Sequence, residues 1–460
     1  MDEPLTVNSN AGWCWFQDPR LIVDGKTGHV LLATVANIDG EDGVHRDADI
    51  DVTCFDPATG TGVTVAVGNI PTHGHGDDHN GAALWQRPDG RYLAVYTGHN
   101  YGSGGNGCET RPDTFYRISV RPHDSSEWRE ERRFTWPRTE LVKNGRHAVT
   151  YSNLHHLSAE GGNLGRLYNI ARASGAIWQI ATSDDLGETW TYRGVLTLPP
   201  REGRAYSNGY MKFCGNGIDR IDFITTEAHP RDHNNGLYHG FIRDGRTFNT
   251  LGEAIGGDLY SMEGPRPESF TPLFAPHPVQ PDRHHHAWAV DLGRDRNGDL
   301  FALFTTRYGM ETRAIHPALR QPGNADHRIF VARLEGARWE TVELARMGCG
   351  LWEKEEDYTG LGTVDPADAR TVFVSTPIDP RDGARLEKHE IFAGRCGEDF
   401  QDWSWFPVTE NSEADQLRPR FLICRDGRSF LFWLRGVYAS QHRYNQQLVT
   451  LCIDPALHHQ

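Results

Sequence analysis

The stretch from His73 to Asn80, HGHGDDHN, puts three histidines, two aspartates and two glycines into eight residues. No core strand or helix has that composition. It suits a metal site, a catalytic loop or a polar turn. With a reference pKa of about 6.5, a histidine is mostly neutral at pH 7 and ready to accept a proton. A tyrosine, near 10, costs roughly 4 kcal/mol to ionise at pH 7 unless its surroundings lower that value. His79 precedes the hairpin AALWQRPDGRYLAVYTG, which begins at Ala82, and His99 follows it. A hairpin running out and back returns its two ends to one sheet edge, so the two imidazoles are expected side by side. Asp77 or Asp78 is placed to orient an imidazole, and the glycines let the loop bend. His73 and His75 read as polar loop residues.

The elements that must hold this loop are strands. Short apolar runs alternate with turn signals along the whole chain, and Pro and Gly interrupt most helical candidates. The recurring unit is a hairpin closed by an Asp-Gly or Asn-Gly type turn, as in VDLGRDRNGDLFALFTT from Val290 and FLICRDGRSFLFWL from Phe421. Units begin near Trp13, Ala82, Ser152, Asn208, His286, Tyr358 and Pro419, spaced about 55 to 80 residues apart. This pattern predicts an all-β chain: a seven-bladed β-propeller of four-stranded antiparallel blades, one domain over residues 1–460. The last unit ends on one strand, QQLVTLCID, so the N-terminal residues are expected to supply its outer strand and close the ring. A β-sandwich plus a barrel fits less well, because no break in composition interrupts the units. SDDLGETW from Ser183 matches the Asp-box turn S-x-D-x-G-x-T-W, which gives Asp185 a structural role. The tryptophans of WCWF and DWSWF read as inter-blade core. The polar stretch from Cys108 to Val149 reads as an insertion that reshapes the cleft.

Composition narrows the partners. The 460 residues carry a formal charge of −15, and five lysines stand against 42 arginines with no basic block. Such a composition does not suit nucleic-acid binding, which needs clustered Lys and Arg. No run of 18 apolar residues is present, so no membrane-spanning helix is expected. The eight cysteines are scattered without a CxxC pair, which argues against a zinc ribbon or thioredoxin-type site. MDEPLTVNSN has no charged and apolar leader pattern, which points to the cytoplasm as written, or to a secreted or periplasmic protein if a leader was removed.

Several segments together resemble the BNR-4 group of propellers, which includes polysaccharide lyases: AGWCWFQDPRLIV from Ala11, GDDHNGAAL from Gly76, TEAHPRDHNNGLYHG from Thr226, EDYTGLGTVDPADARTVFVSTPIDP from Glu356, RWETVEL from Arg338 and VTENSEADQLRPRFL from Val408. The resemblance spans nearly the whole chain. It implies a seven-bladed propeller that cleaves a uronate-containing glycan, of ulvan or rhamnosyl–glucuronate type, by β-elimination. Such a reaction removes the C5 proton and expels the group on C4. It needs a cation on the uronate carboxylate, a base at C5 and an acid at the leaving oxygen. The resemblance implies catalytic roles for His79, His99, Tyr151 in VTYSNLHHL and Arg166 in GRLYNIAR, with Arg166 neutralising the carboxylate. Tyr151 and Arg166 are expected to flank one hairpin turn.

Further candidates surround this set. Asn80, Arg204, Tyr206 and His286 are expected to bind the acidic oligosaccharide or polysaccharide. No cofactor is required for the chemistry. The segment KFCGNG to LYHG holds Cys214, His229, His233 and His239, of which Cys214, His229 and His239 are candidate ligands for a structural zinc or calcium, although no standard zinc pattern is matched. Two other functions stay open: a glycoside hydrolase on the same scaffold, with His45 in DGVHRDADI on another rim, and a non-catalytic glycan-binding propeller. A sialidase fits worse, for want of a three-arginine set.

Overall fold

The computed structural model describes residues 3–99, 112–140, 147–198, 209–231, 233–309, 326–352, 355, 357–397 and 399–453. Seven antiparallel sheets follow one another along the chain, and the first strands of adjacent blades touch around a common axis. The chain is a seven-bladed β-propeller. Blade 1 is Leu21–Val23, Val30–Val35, Asp49–Asp56 and Thr61–Asn69; blade 2 is Ala83–Gln86, Tyr92–Thr97, Asp113–Ile118 and Arg132–Thr135. Blade 3 is Thr150–Leu157, Arg166–Ala173, Ile177–Ser183 and Thr191–Val195. Blades 5 and 6 open with His284–Arg294 and Gly362–Val364. Blade 7 contributes Asp415–Ile423, Ser429–Ser440 and Arg443–Ile453, and Leu5–Asn8 pairs with the last of these as the outer strand. The ring is thus closed by the N-terminal residues, which leaves no raw edge at the seam.

Three local expectations need correction. The first blade begins at Leu21 rather than near Trp13. Blade 4, opening with Met211–Gly215, has six strands, because Ala254–Asp258 and Thr271–Phe274 extend it. The stretch read as an insertion holds the third and fourth strands of blade 2 in its described part. Its fourth strand, Arg132–Thr135, is polar because it is the outer edge of the blade and largely exposed.

Residues 13–18 lie between the outer strand of blade 7 and the first strand of blade 1 and run to the axis. Trp15 Nε1 donates to Ala289 O at 3.1 Å in blade 5, and Asn153 Nδ2 of blade 3 donates to Phe16 O at 3.0 Å. Lys212 Nζ of blade 4 donates to Trp15 O at 2.6 Å and also meets Asp18. These bonds join one segment to three blades. Trp13 packs between blades 7 and 1 with Val30, Phe432 and Leu448, whereas Trp15 stands on the axis among Phe16, Trp288 and Tyr358. The Asp box is structural: Asp185 accepts from Thr189 N at 2.9 Å, Thr189 Oγ1 at 2.6 Å and Ser183 Oγ at 2.7 Å.

Candidate active site

Each first strand starts on the same face of the propeller, here called the upper face. The segment before blade 2 forms a 3-10 turn, Asp78–Asn80, with Asp77 as its cap. Gly76 lets this segment pass close to blade 1, since a Cβ there would lie 2.3 Å from Ala36 O. Asp77, Asp78, His79 and Asn80 are all buried. Asn80 anchors the arrangement. Its amide donates to Ile70 O at 2.9 Å and Thr72 Oγ1 at 3.0 Å, and its carbonyl accepts from His99 N at 2.7 Å. Its hydrogen bonds serve the protein, so the geometry makes it a positioning residue rather than a sugar ligand.

The two histidines meet. Their rings stack with centroids 4.2 Å apart and planes 13° apart. A single carboxylate holds both: Asp77 Oδ1 lies 2.8 Å from His79 Nδ1, and Asp77 Oδ2 lies 2.8 Å from His99 Nδ1. Asp78 Oδ1 lies 2.5 Å from His79 Nδ1. Burial opposes charge on His79, but Cys14, Asp78 and Asp77 outweigh it and hold its pKa well above the usual imidazole value. Burial drives His99 the other way, to about 4; Asp77 opposes that shift, while His79 and Arg172 reinforce it. Two adjacent imidazoles are therefore split into a cation and a neutral base, the pattern by which acid and base roles are divided at one pH. Burial opposes ionisation of Asp77, but His99 and His79 keep its carboxyl well below the usual range.

Tyr151 closes one side, 5.6 Å from His79 and 6.3 Å from His99 between ring centroids. It sits at φ 63°, within the register shift between Thr150 and Asn153 at the top of blade 3. A buried aromatic in the left-handed region costs about 1–3 kcal/mol and is held there by its surroundings. The same conformation recurs at His286 in blade 5, Leu361 just before the first strand of blade 6 and Arg418 in blade 7. These bends re-aim side chains at the axis. The Arg172 guanidinium stands 4.7 Å from the Tyr151 ring centre and 4.9 Å from that of Tyr210. Burial, with Tyr210 and Cys14 alongside, raises the Tyr151 pKa well above 10 against the pull of Arg172.

Arg166 is not part of this cluster. It pairs with Leu157 at the far end of blade 3, about 20 Å from Arg172 at roughly 3.3 Å per residue. There it binds Asp184 at 2.7 Å and the Tyr260 hydroxyl at 3.0 Å. Tyr151 lies near the register partner of Arg172, so Tyr151 and Arg166 flank opposite ends of the hairpin. The sequence reading also missed Tyr358, whose Oη lies 3.0 Å from His79 Nε2, and Arg418, which pairs with Asp78 Oδ2 at 2.6 Å. Tyr358 lay within the quoted EDYTGLG segment, but no local spacing ties blade 6 to blade 2.

The other candidates separate. His286 Nδ1 lies 2.6 Å from His285 Nδ1, and its backbone amide donates to Asn234 Oδ1 at 3.0 Å. Arg204 and Tyr206 lie outside the described residues. Cys214, His229 and His239 do not converge. His239 bonds Asp222 at 3.2 Å and Thr250 at 2.8 Å inside blade 4, while His229 is above the sheet beside Tyr210, Trp288 and Glu355. Among the described residues only Asp77, His79 and His99 offer three metal-type ligands together. Each imidazole lone pair lies in its ring plane, and nearly parallel stacked rings aim theirs along lines that do not meet. The arrangement fits a carboxylate orienting two rings better than a metal centre. His45 is on this same upper face, exposed and paired with Asp42 at 2.6 Å, so it is not on another rim and no buried cluster surrounds it.

Neither a protein-family profile nor a curated protein sequence matches the chain. Solved structures do. A polysaccharide lyase described as a PL25 ulvan lyase superposes with a TM-score of 0.61 at 14% identity, over 97% of this chain and 95% of that one. The PL25 ulvan lyase bound to -[GlcA(1-4)Rha3S]- gives 0.63 at 13% identity, with the same coverage. The polysaccharide lyase Uly1 gives 0.56 at 13% identity, over 99% of this chain and all of that one. These likenesses concern the fold.

Proposed function

We propose that the protein is a polysaccharide lyase that cleaves a uronate-containing glycan by β-elimination. One observation carries this reading: a buried carboxylate holds two stacked imidazoles whose pKa values are driven apart, beside a buried phenol and a guanidinium. An enolate-like transition state needs just those groups. In this reading Arg172 faces the uronate carboxylate, which otherwise resists gaining charge at C5, and the cationic His79 adds its positive charge nearby. His99 Nε2 takes the C5 proton, the C4–O bond breaks as the C4–C5 double bond forms, and Tyr151 gives its proton to the leaving oxygen. The low pKa of His99 keeps it neutral, and an arriving carboxylate raises its basicity. Tyr151 as base would first have to ionise against its burial. Superposition on lyases, one bound to a glucuronate–rhamnose ligand, supports the choice of substrate class.

The test is incubation with glucuronate–rhamnose oligosaccharides while the ultraviolet absorbance of the unsaturated uronate is followed. Rising absorbance supports the lyase. Free sugar without absorbance would replace it with a hydrolase, and binding without cleavage would leave a glycan-binding propeller.

A further inference from the structure

The environment of Tyr358 adds a residue to the site. His79 Nδ1 faces two carboxylate oxygens, at 2.8 and 2.5 Å, so it carries a proton. On a charged ring Nε2 carries the second proton, and its partner is Tyr358 Oη at 3.0 Å. The phenol oxygen is then the acceptor, and its own hydrogen points elsewhere. That oxygen is held in place. Tyr358 N donates to Glu355 O at 3.1 Å, and Tyr358 O accepts from Leu351 N at 2.7 Å. The ring is clamped by Trp15, Trp288 and Tyr438 at centroid distances of 5.1, 5.6 and 6.2 Å, and the Arg418 guanidinium sits 5.7 Å from its centre. Both phenol rings neighbour His79, Tyr151 at 5.6 Å and Tyr358 at 6.4 Å between centroids.

We propose that Tyr358 is a specificity-determining residue that donates a hydrogen bond from Oη to the carboxylate of the bound uronate, with His79 behind it as the polarising group. The inference rests on the uronate reading of the site and names the donor that distinguishes an acid sugar from its neutral counterpart. Were His79 neutral, Tyr358 would donate to it instead and no such donor would be presented.

Binding tests this without turnover. Isothermal titration of methyl glucuronoside and of its methyl ester into the wild-type protein and Tyr358→Phe compares ligands that carry no C4 glycosidic bond to cleave. The acid is expected to bind the variant about tenfold to a hundredfold more weakly, the loss typical of a hydrogen bond to a charged group. The ester is expected to lose about threefold or less. An equal loss for both ligands, no loss for the acid, or no binding of the acid to the wild type overturns the proposal. Acid-selective loss in a protein that makes no unsaturated product would leave this proposal standing and remove the lyase reading.

Discussion

Replacing Asp77 by Asn probes the feature that organises the site. Asp77 accepts from His79 N at 2.9 Å and faces both Nδ1 atoms at 2.8 Å. An asparagine of the same shape has one acceptor oxygen and one NH2 group. Whichever imidazole faces the NH2 must put its proton on Nε2. If that ring is His99, the nitrogen meant to accept the C5 proton is blocked. If it is His79, the Asp78 carboxylate at 2.5 Å is left as its one carboxylate partner, and the ring holds its second proton less tightly. Losing the orienting carboxylate of a Ser-His-Asp triad in the same way costs about 10⁴ in kcat, so a drop of about 10³–10⁴ is expected here. The buried pair is also broken, with a cost of about 3 kcal/mol in stability. The assay is the initial rate of unsaturated-uronate formation, alongside a thermal melt to show that the variant is folded at the assay temperature. A folded variant within tenfold of wild-type kcat would refute the argument that Asp77 sets both tautomers.

Other expectations follow from the same geometry. Arg172→Ala should lower kcat about 10²–10³-fold in the absorbance assay, as loss of a transition-state donor does, whereas Arg166→Ala should leave the rate within about twofold, since its partly exposed pair with Asp184 is of the kind worth under about 1 kcal/mol. The plot of kcat/KM against pH should fall on the acid side with an apparent pKa near 4 as His99 is protonated, and on the alkaline side above 6.5 as His79 loses its proton. The lowered His99 pKa also bears on stability: its contribution is complete above pH 6.5 and is lost as pH falls towards 4, by about 3 kcal/mol. Denaturant melts of His99→Gln should therefore show a shallower acid loss than wild type by about that amount.

The propeller could be read from the chain because its grammar is local. Asp-Gly turns between alternating strands mark each hairpin, and the single closing strand at QQLVTLCID called for an N-terminal partner, which Leu5–Asn8 supplies. The adjacency of His79 and His99 was legible for the same reason: both lie at the ends of one hairpin. Arg172 was not. Arg166 and Arg172 lie an even number of residues apart on one strand and so share a face; only the register, with Thr150 opposite Arg172 and Leu157 opposite Arg166, decides which reaches Tyr151. Tyr358, Arg418 and Cys14 reach the site from blade 6, blade 7 and the axial segment, and their nearness to His79 arises only when the ring closes. Cys214 and His239 share one face of blade 4, but His229 lies beyond the strand ends, a separation that their closeness in sequence does not show.

The central claim is that this cluster breaks a C–H bond rather than adding water. Cleavage of a glucuronate–rhamnose oligosaccharide in water enriched in ¹⁸O, read by mass spectrometry, tests it directly. Elimination predicts an unsaturated uronate whose newly formed C4–C5 end lacks the label. One ¹⁸O in the products of each cut, with no unsaturated fragment, would contradict the account.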